Sequence, residues 1–473
     1  MKTQESIHFF NTLSRQKERF MPLEKGKVKM YTCGPTVYDV AHIGNFRAFI
    51  FEDLLRRWLE YRGFKVTQIM NLTDVDDRTI KAARNQRVPL KEVTERYIKA
   101  FFDDVETLNI EKATVYPRAT EHVSEMVALI KKLIDKGYAY RGEDGSIYYD
   151  ISKFKDYGKL AKIKVADLKL GARVKVDEYA KEEAQDFALW KAWDESDGDV
   201  YWDTELGRGR PGWHIECSAM SMKYLGETLD IHCGGVDNLF PHHENEIAQS
   251  EAATGKKFVN YWMHNEHLLV EGKKMAKRLG NYYTVKDLTA KGHNPKAIRY
   301  LMLSTHYRQQ LNFTFEGLEA AKSTLERLEN FVRRLLNADG TSGGEEHKAL
   351  ISRVQNDFEA AMDDDLNISV ALAALFDFIR EVNNRLDKNR VNKQEAKEIR
   401  ELVLRFDSVL GVIGETCEEE KLPKEAEELI RKREEARKAK DWKAADELRE
   451  QLKAMGIIIE DTAQGVKWRR EKH

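Results

Sequence analysis

The chain of 473 residues has little cysteine, with four scattered at positions 33, 217, 233 and 417. That spacing offers no disulfide framework and no close Cys-x-x-Cys pair. The thiols fit a reducing compartment and stay available as thiolate ligands. No run approaches about 18 consecutive apolar residues, which excludes a membrane-spanning helix. The opening stretch MKTQESIHFFNTLSRQKERF has neither the apolar core nor the small-residue cleavage site of a secretory signal, and a cytoplasmic protein is expected. Charge of one sign is not in excess either: 78 Lys+Arg face 80 Asp+Glu, so a nucleic-acid contact must use a local patch. No internal repeat is found.

What is present is a globular composition, 42% hydrophobic and 10% aromatic, long enough for about three domains. KVKMYT, at Lys27 to Thr32, reads as a strand leading into the loop CGPTVYDVAHIGN. Phe46, Ile50, Leu54 and Trp58 then recur at four-residue spacing, the buried stripe of a helix that Gly63 stops. A second strand, KVTQIM, completes a βαβ unit; such units build parallel sheets, which bind ligands at the carboxyl ends of their strands. From Val115 to Asp203 helical stretches alternate with short β-like runs, the pattern of an inserted module. The α/β pattern returns with TLDIHCGG, a helix with Pro241 in its first turn, and one or two strands in KFVNYWMHNEHLLVEG. Helical periodicity dominates from Asp287, broken by a linker at 337–346. Within it Phe358, Met362 and Leu366 precede a helix holding Val370, Leu372, Leu375, Phe376 and Ile379, with Asn367 or Ser369 as its N-cap. The tail reads as one charged helix, Lys424 to Ala454, and a β-hairpin in GIIIEDTAQGVKW.

Three constellations carry chemistry. His42, Gly44 and Asn45 occupy the turn into the first helix, where free N–H groups and the helix dipole favour a phosphate. Gly44 lets a flat base approach the backbone, and His42 and Asn45 supply hydrogen-bond donors. Lys274, Lys277 and Arg278 put three cations on a loop between Gly272 and Gly280, suited to stabilising a leaving pyrophosphate in the transition state. His242 and Glu246, four apart on a predicted helix, project from one face; with Cys33 and Cys217 they make a Cys₂HisGlu set. Each has a plainer alternative: turn and cap residues, a solvated basic loop, and cysteines packed as small hydrophobes.

The order and surroundings of these segments resemble the cysteinyl-tRNA synthetases, a branch of the class I aminoacyl-tRNA synthetases, over nearly the whole chain. The resemblance is carried by YTCGPTVYDVAHIGN, NLTDVDD, GARV, DFALWK, GRPGWHIECSAM, DIHCGGVDNLFPHHENEIAQS, KMAKRLGN, HYRQQLNFT and KDWKAADELREQL. It implies an α/β fold: a Rossmann-type parallel-sheet catalytic domain in two halves, 1–114 and 204–268, split by a connective insertion at 115–203. A signature-loop and stem-contact region at 269–318 would follow, then an α-helical anticodon-binding domain at 319–415 and a small mixed α/β extension at 416–473. By the same resemblance ATP, with Mg2+, and L-cysteine would give cysteinyl-adenylate, and a monomer would pass the cysteinyl group to tRNA(Cys). His42, Gly44 and Asn45 would meet the ATP phosphates, Lys274 and Lys277 the β- and γ-phosphates, and Asp237 the ribose. Thr73, Asp74 and Trp213 would surround the amino acid. Cys33, Cys217, His242 and Glu246 would hold one Zn2+ that binds the substrate sulfur.

Physics explains that choice, because a pocket separates close analogues such as cysteine and serine by only about 1–3 kcal/mol. Zinc prefers thiolate to hydroxyl, which makes a separate editing domain unnecessary and agrees with the short insertion. His232, Cys233, His243 and Glu244 are expected outside the ligand set, His243 and Glu244 facing away from His242's side. Asp74, Asp76 and Asp77 are also candidate caps for a helix beginning near Thr79. The sequence departs from the family where Ala276 and Arg278 replace the serines of KMSKS, where Asn45 stands in place of a second histidine, and before GRPGW. Two other readings are a mycothiol-type cysteine ligase and a noncatalytic zinc-dependent RNA-binding paralogue.

Overall fold

The computed structural model describes residues 7–163, 173–174, 185–342, 344–413, 423–462 and 465–470. Cys417 and the first half of the GARV segment lie outside the described residues. The described residues fall into two compact units, 1–414 and 415–473.

The centre of the first unit is a four-stranded parallel sheet. Strand β1 (Lys27–Thr32) leads through helix α1 (Ile43–Tyr61) to β2 (Lys65–Met70), and α2 (Asp77–Gln86) and α3 (Leu90–Thr107) follow. After the insertion come α4 (Trp213–Leu225), β3 (Leu229–Gly235), α5 (His242–Thr254) and β4 (Val259–Asn265). The spatial order is β4-β3-β1-β2, every pair parallel, so the chain reverses its direction of growth between β1 and β3. A crevice outside the carboxyl ends of those two strands is where such sheets hold ligands. The predicted stripe of α1 is the buried one, with Phe46, Ile50 and Trp58 fully covered.

The insertion builds a mainly antiparallel sheet, with Arg173–Val174 added parallel to Asp186–Ala192, that runs on through Gly207–Pro211, beyond the expected boundary at 203. Gly209 and Gly212 let the chain pass close against the strand Asp186–Ala192, since neither has room for a Cβ against the carbonyls of Lys191 and Ala188. Pro241 occupies the N-cap position of α5, one residue before the expected first turn.

Downstream, α6 (Pro295–Leu303), α7 (Phe315–Leu336), α8 (Glu345–Asp363), α9 (Ile368–Asp387) and α10 (Lys393–Leu410) form the helical region. Helix α8 stops short of Leu366, because Asp365 and Leu366 take left-handed backbone (φ 62° and 54°). Asn367 caps α9 by accepting from the Val370 N–H. Of the expected stripe Leu372, Leu375 and Ile379 are buried, while Val370 is 51% exposed and Phe376 half-buried; Ala371, Phe378 and Val382 complete the core face. In the second unit the single charged helix is two, Lys424–Lys438 and Trp442–Ala454, broken where Lys440 turns left-handed (φ 64°) and Asp441 caps the next helix. The expected hairpin is present as Ile457–Thr462 and Gly465–Arg470. No described helix is long and apolar enough to cross a membrane.

A buried ion network ties α1 to the helical region. Asp53 accepts from Arg299 Nη2 (2.5 Å) and Arg57 Nε (2.8 Å), all three side chains being covered. Arg299 also donates to the carbonyls of Leu410 (2.7 Å) and Asn109 (3.0 Å). Asp53→Ala is expected to strand Arg299 without its counter-ion and to cost about 3–5 kcal/mol in chemical denaturation. A second prediction concerns Asp104, on α3, whose carboxyl is raised from 3.8 to about 7 by burial and by the charges of Asp103 and Asp287. The unfolded chain sheds this proton at lower pH than the folded one, so stability falls as pH rises from about 4 to 7. Asp104→Asn is expected to flatten that slope and raise the melting temperature at pH 8 more than at pH 5.

Candidate active site

Cys33 leaves the carboxyl end of β1, where its N–H donates to the Cys233 carbonyl at 3.3 Å. Cys217 arrives from the second turn of α4, His242 opens α5, and Glu246 follows one turn later. The four ligand atoms lie within 4.8 Å of one another, Cys217, His242 and Glu246 buried and Cys33 partly open. Glu246 Oε1 sits 3.1 Å from His242 Nε2 yet makes no well-formed hydrogen bond. Burial, with the neighbouring Cys217, pushes the Glu246 carboxyl well up. Burial also opposes ionisation of Cys217, but the hydrogen bond from Cys33 and the charge on His242 outweigh it and hold that thiol well below its ordinary value. Cys33, the partner that gives this hydrogen bond, is raised. A buried carboxylate oxygen without a donor, beside thiols and an imidazole, is a donor set of the number and softness that zinc takes.

The excluded histidines are part of this cluster. His243 Nε2 lies 3.2 Å from Cys33 Sγ, and His232 Nε2 lies 3.0 Å from Glu246 Oε2. Cys33, His232, His243 and Glu246 form a second, overlapping set that meets the same distance criterion. At about 100° per residue His243 is only about 60° from Glu246 on the helix, so it shares that residue's side although it leaves His242's. His214 adds a ring 3.0 Å from His242, and His264 one 2.8 Å from His243. Burial pulls His232 down to about 4 and His264 to about 3, leaving neutral rings around the thiols. Glu244 does face elsewhere, accepting from the N–H groups of Gly158, Leu160 and Ala161. Cys233 is buried at the end of β3 and belongs to neither set.

The cluster opens into a cavity of about 380 Å³ that runs along the crevice to the amino end of α1. Trp213 lines it, stacked on His242 at 4.1 Å between ring centres. At the far end His42 caps α1: its Nδ1 accepts from the Asn45 N–H (3.2 Å), and Asn45 Oδ1 accepts from the His42 N–H (3.0 Å). In a neutral ring that bond places the remaining proton on Nε2, a donor, and leaves the Asn45 amide nitrogen as another. Both residues line the cavity, as do Gly44, Lys274 and Asp237. Asp237 Oδ1 is 3.3 Å from His267 Nε2. Lys277 begins a one-turn helix, and its side chain lies outside the described residues.

Thr73 and Asp74 stand behind the cavity wall rather than on it. Thr73 Oγ1 donates to Glu216 (3.2 Å), and both Asp74 oxygens accept from Thr120, at 2.9 and 2.6 Å. Of the three aspartates offered as caps, Asp76 caps α2.

The lysine loop and the α1 turn touch. The Ile43 N–H donates to the Tyr283 carbonyl at 2.9 Å, and a Cβ on Gly44 would come within 3.0 Å of both Met275 Cε and the His42 ring. Without the serines of the family signature, Asn281 holds the loop: its Oδ1 accepts from the Ala276 N–H (2.9 Å) and its Nδ2 donates to the Lys274 carbonyl (3.3 Å). Sequence reading missed Asn281, which no spacing rule marks.

Residues 19–323 match the model of the class I (C) tRNA synthetase catalytic domain, residues 357–414 the DALR domain, and residues 419–469 the cysteinyl-tRNA ligase anticodon-binding domain. The cysteine–tRNA ligase of Protochlamydia amoebophila is 51% identical over 468 residues, covering 98% of both chains. That of Brachyspira hyodysenteriae is 50% identical, covering 98% of this chain and 99% of its own. Among solved structures, Mycobacterium tuberculosis methionyl-tRNA synthetase with methionyl-adenylate superposes with a TM-score of 0.62 at 15% identity, covering 83% of this chain and 89% of that one.

Asn281→Ala is expected to free the loop without altering the melting temperature. Tryptic cleavage between Gly272 and Gly280 would quicken by roughly fivefold for each hydrogen bond lost, at about 1 kcal/mol apiece.

Proposed function

Because the chain belongs to the cysteine–tRNA ligase family of class I synthetases, we propose that the crevice between β1 and β3 is where ATP and cysteine become cysteinyl-adenylate. The activity is ATP-dependent ligation of cysteine to tRNA. The observation that carries the placement is the continuity of one cavity from the thiol-rich cluster to the α1 amino end.

Cys33, Cys217, His242 and Glu246 would hold zinc, and His232 would orient Glu246 through its 3.0 Å contact. When bound, zinc supplies a soft Lewis acid that takes the substrate thiolate and not a serine hydroxyl. Trp213, stacked on His242, would close the amino-acid end. The substrate carboxylate is itself the nucleophile, so the protein need only position and stabilise. It attacks the α-phosphorus of ATP, accompanied by Mg2+, while His42 Nε2–H, the Asn45 amide and the α1 dipole meet the charge growing on the phosphate oxygens. Lys274, on the cavity wall, and Lys277, by the signature it matches, would meet the departing pyrophosphate, and Asp237 the ribose. Terminal adenosine of tRNA(Cys) then displaces AMP. The stretch 419–469, similar to an anticodon-binding domain, favours RNA over an amino sugar as acceptor. The enzyme is read as a cytoplasmic monomer.

ATP–pyrophosphate exchange with cysteine, serine or no amino acid, before and after chelation, tests this reading. Exchange with cysteine alone, lost on chelation and regained with zinc, is the expected result; exchange indifferent to chelation would remove the metal. Cys217→Ser is expected to lower zinc content and to raise KM for cysteine about 10–100-fold with little change for ATP.

A further inference from the structure

Tyr31 stands on β1, two residues before Cys33 and opposite His232 of β3 in the sheet register. Its ring meets that of His232 edge-on, 5.0 Å between centres, and belongs to an apolar core with Ile69, Ile247 and Trp262. The side chain is wholly covered. A phenylalanine would fill the same space, and a hydroxyl buried without a good partner costs free energy that phenylalanine avoids. Tyr31 Oη makes no well-formed hydrogen bond. What it faces is the Cys217 thiol, with Cys33 and Glu246 around it.

That placement acquires a purpose once the charges of a loaded site are added up. Two thiolates and the Glu246 carboxylate around one divalent ion already leave a surplus negative charge, and a substrate thiolate adds another in an interior that screens charge poorly. With both thiols ionised, Cys33 has no proton left to share with Cys217. A phenol keeps its proton at neutral pH and can donate in its stead. A hydrogen bond to a ligand atom draws electron density away from it and so tunes the metal. Resting on the metal reading above, we propose that Tyr31 is a positioning residue for cysteine selection: its hydroxyl donates to the Cys217 thiolate and draws density from that sulfur, so that the ion keeps enough Lewis acidity to take the thiolate of the substrate.

The test compares the full-length parent with Tyr31→Phe, which keeps the ring against His232 and drops only the hydroxyl. Each is loaded with Co2+ in place of zinc and read by its sulfur-to-cobalt charge-transfer band. Tyr31→Phe is expected to keep the parent's metal content and melting temperature and to move the band to longer wavelength, because a sulfur relieved of its hydrogen bond gives up charge more easily. Cysteine is expected to saturate the change in this band at about tenfold higher concentration, the lower end of what a hydrogen bond to a charged group contributes. In the zinc-loaded chain the KM for cysteine in pyrophosphate exchange is expected to rise by the same factor, with kcat and the KM for ATP within about twofold of the parent. Lost metal, a lowered melting temperature, or equal weakening of cysteine and ATP would assign Tyr31 to the packing of β1 and overturn the proposal. An unshifted band in a parent that binds cysteine would sink this role alone. A parent with no sulfur-to-cobalt band would take away the metal reading itself, and the role of Tyr31 with it.

Discussion

The position of α1 governs everything at the site, and α1 is held by buried charge. Its amino end is the turn proposed to meet phosphate, while one turn on Arg47 donates to the carbonyls of Thr305 (3.1 Å) and His306 (3.0 Å). Further along, Asp53 and Arg57 meet Arg299 and the carbonyls of Asn109 and Ser408. Charges this deep are favourable only when every partner is in place, since an incomplete set leaves an uncompensated ion in the interior. The network therefore fixes α1 in a single register against the helical region. A cap such as His42 can then aim one nitrogen at the cavity while its other is occupied by the helix.

At the opposite end the same low dielectric works through neutrality. The imidazoles of His232, His243 and His264 are all held down by burial, so they supply lone pairs and N–H donors without adding positive charge beside Cys33 and Cys217. His242, next to Cys217, is the exception: burial lowers it, but the charges of Cys217 and Glu246 outweigh that and raise it. The cluster thus separates one imidazole coupled to a thiolate from a surround of neutral rings. That arrangement orients ligands firmly and leaves the net charge to be settled by whatever cation enters.

Much of this was legible in the sequence because period and chain order encode it. Phe46, Ile50, Leu54 and Trp58 announce one face of α1, and a βαβ order places HIGN and NLTDVDD at the carboxyl ends of the strands. What local spacing cannot encode is a partner from another strand. His243 was set aside on its angle to His242 alone, whereas its relevant neighbour is Cys33, brought across by β1. Asp74 matched a motif beside the amino acid, yet Thr120 of the insertion claims both its oxygens. The charged tail reads as one helix because its composition is uniform, and the left-handed turn at Lys440 with the cap at Asp441 divides it. Asn281 was invisible for a different reason: its work is to bond two backbone groups of a loop, which any polar residue at an unremarkable position can do.

The insertion completes the argument about selectivity. Its residues turn inward on α5, the helix that carries His242 and Glu246: Tyr149 donates to the Ala248 carbonyl (3.0 Å), Tyr157 to Asn245 (2.6 Å), and Lys159 pairs with Glu251. Glu244 in turn fastens the N–H groups of Gly158, Leu160 and Ala161 in the insertion. A module bound this way along one helix has its polar groups committed to holding that helix still. If sulfur is recognised by direct bonding, the precision of the ligand positions is what discriminates, and rigidity of α5 contributes to selectivity as much as the ligands themselves. Under the proposed reading the insertion would serve the first binding event by buttressing the helix that makes it.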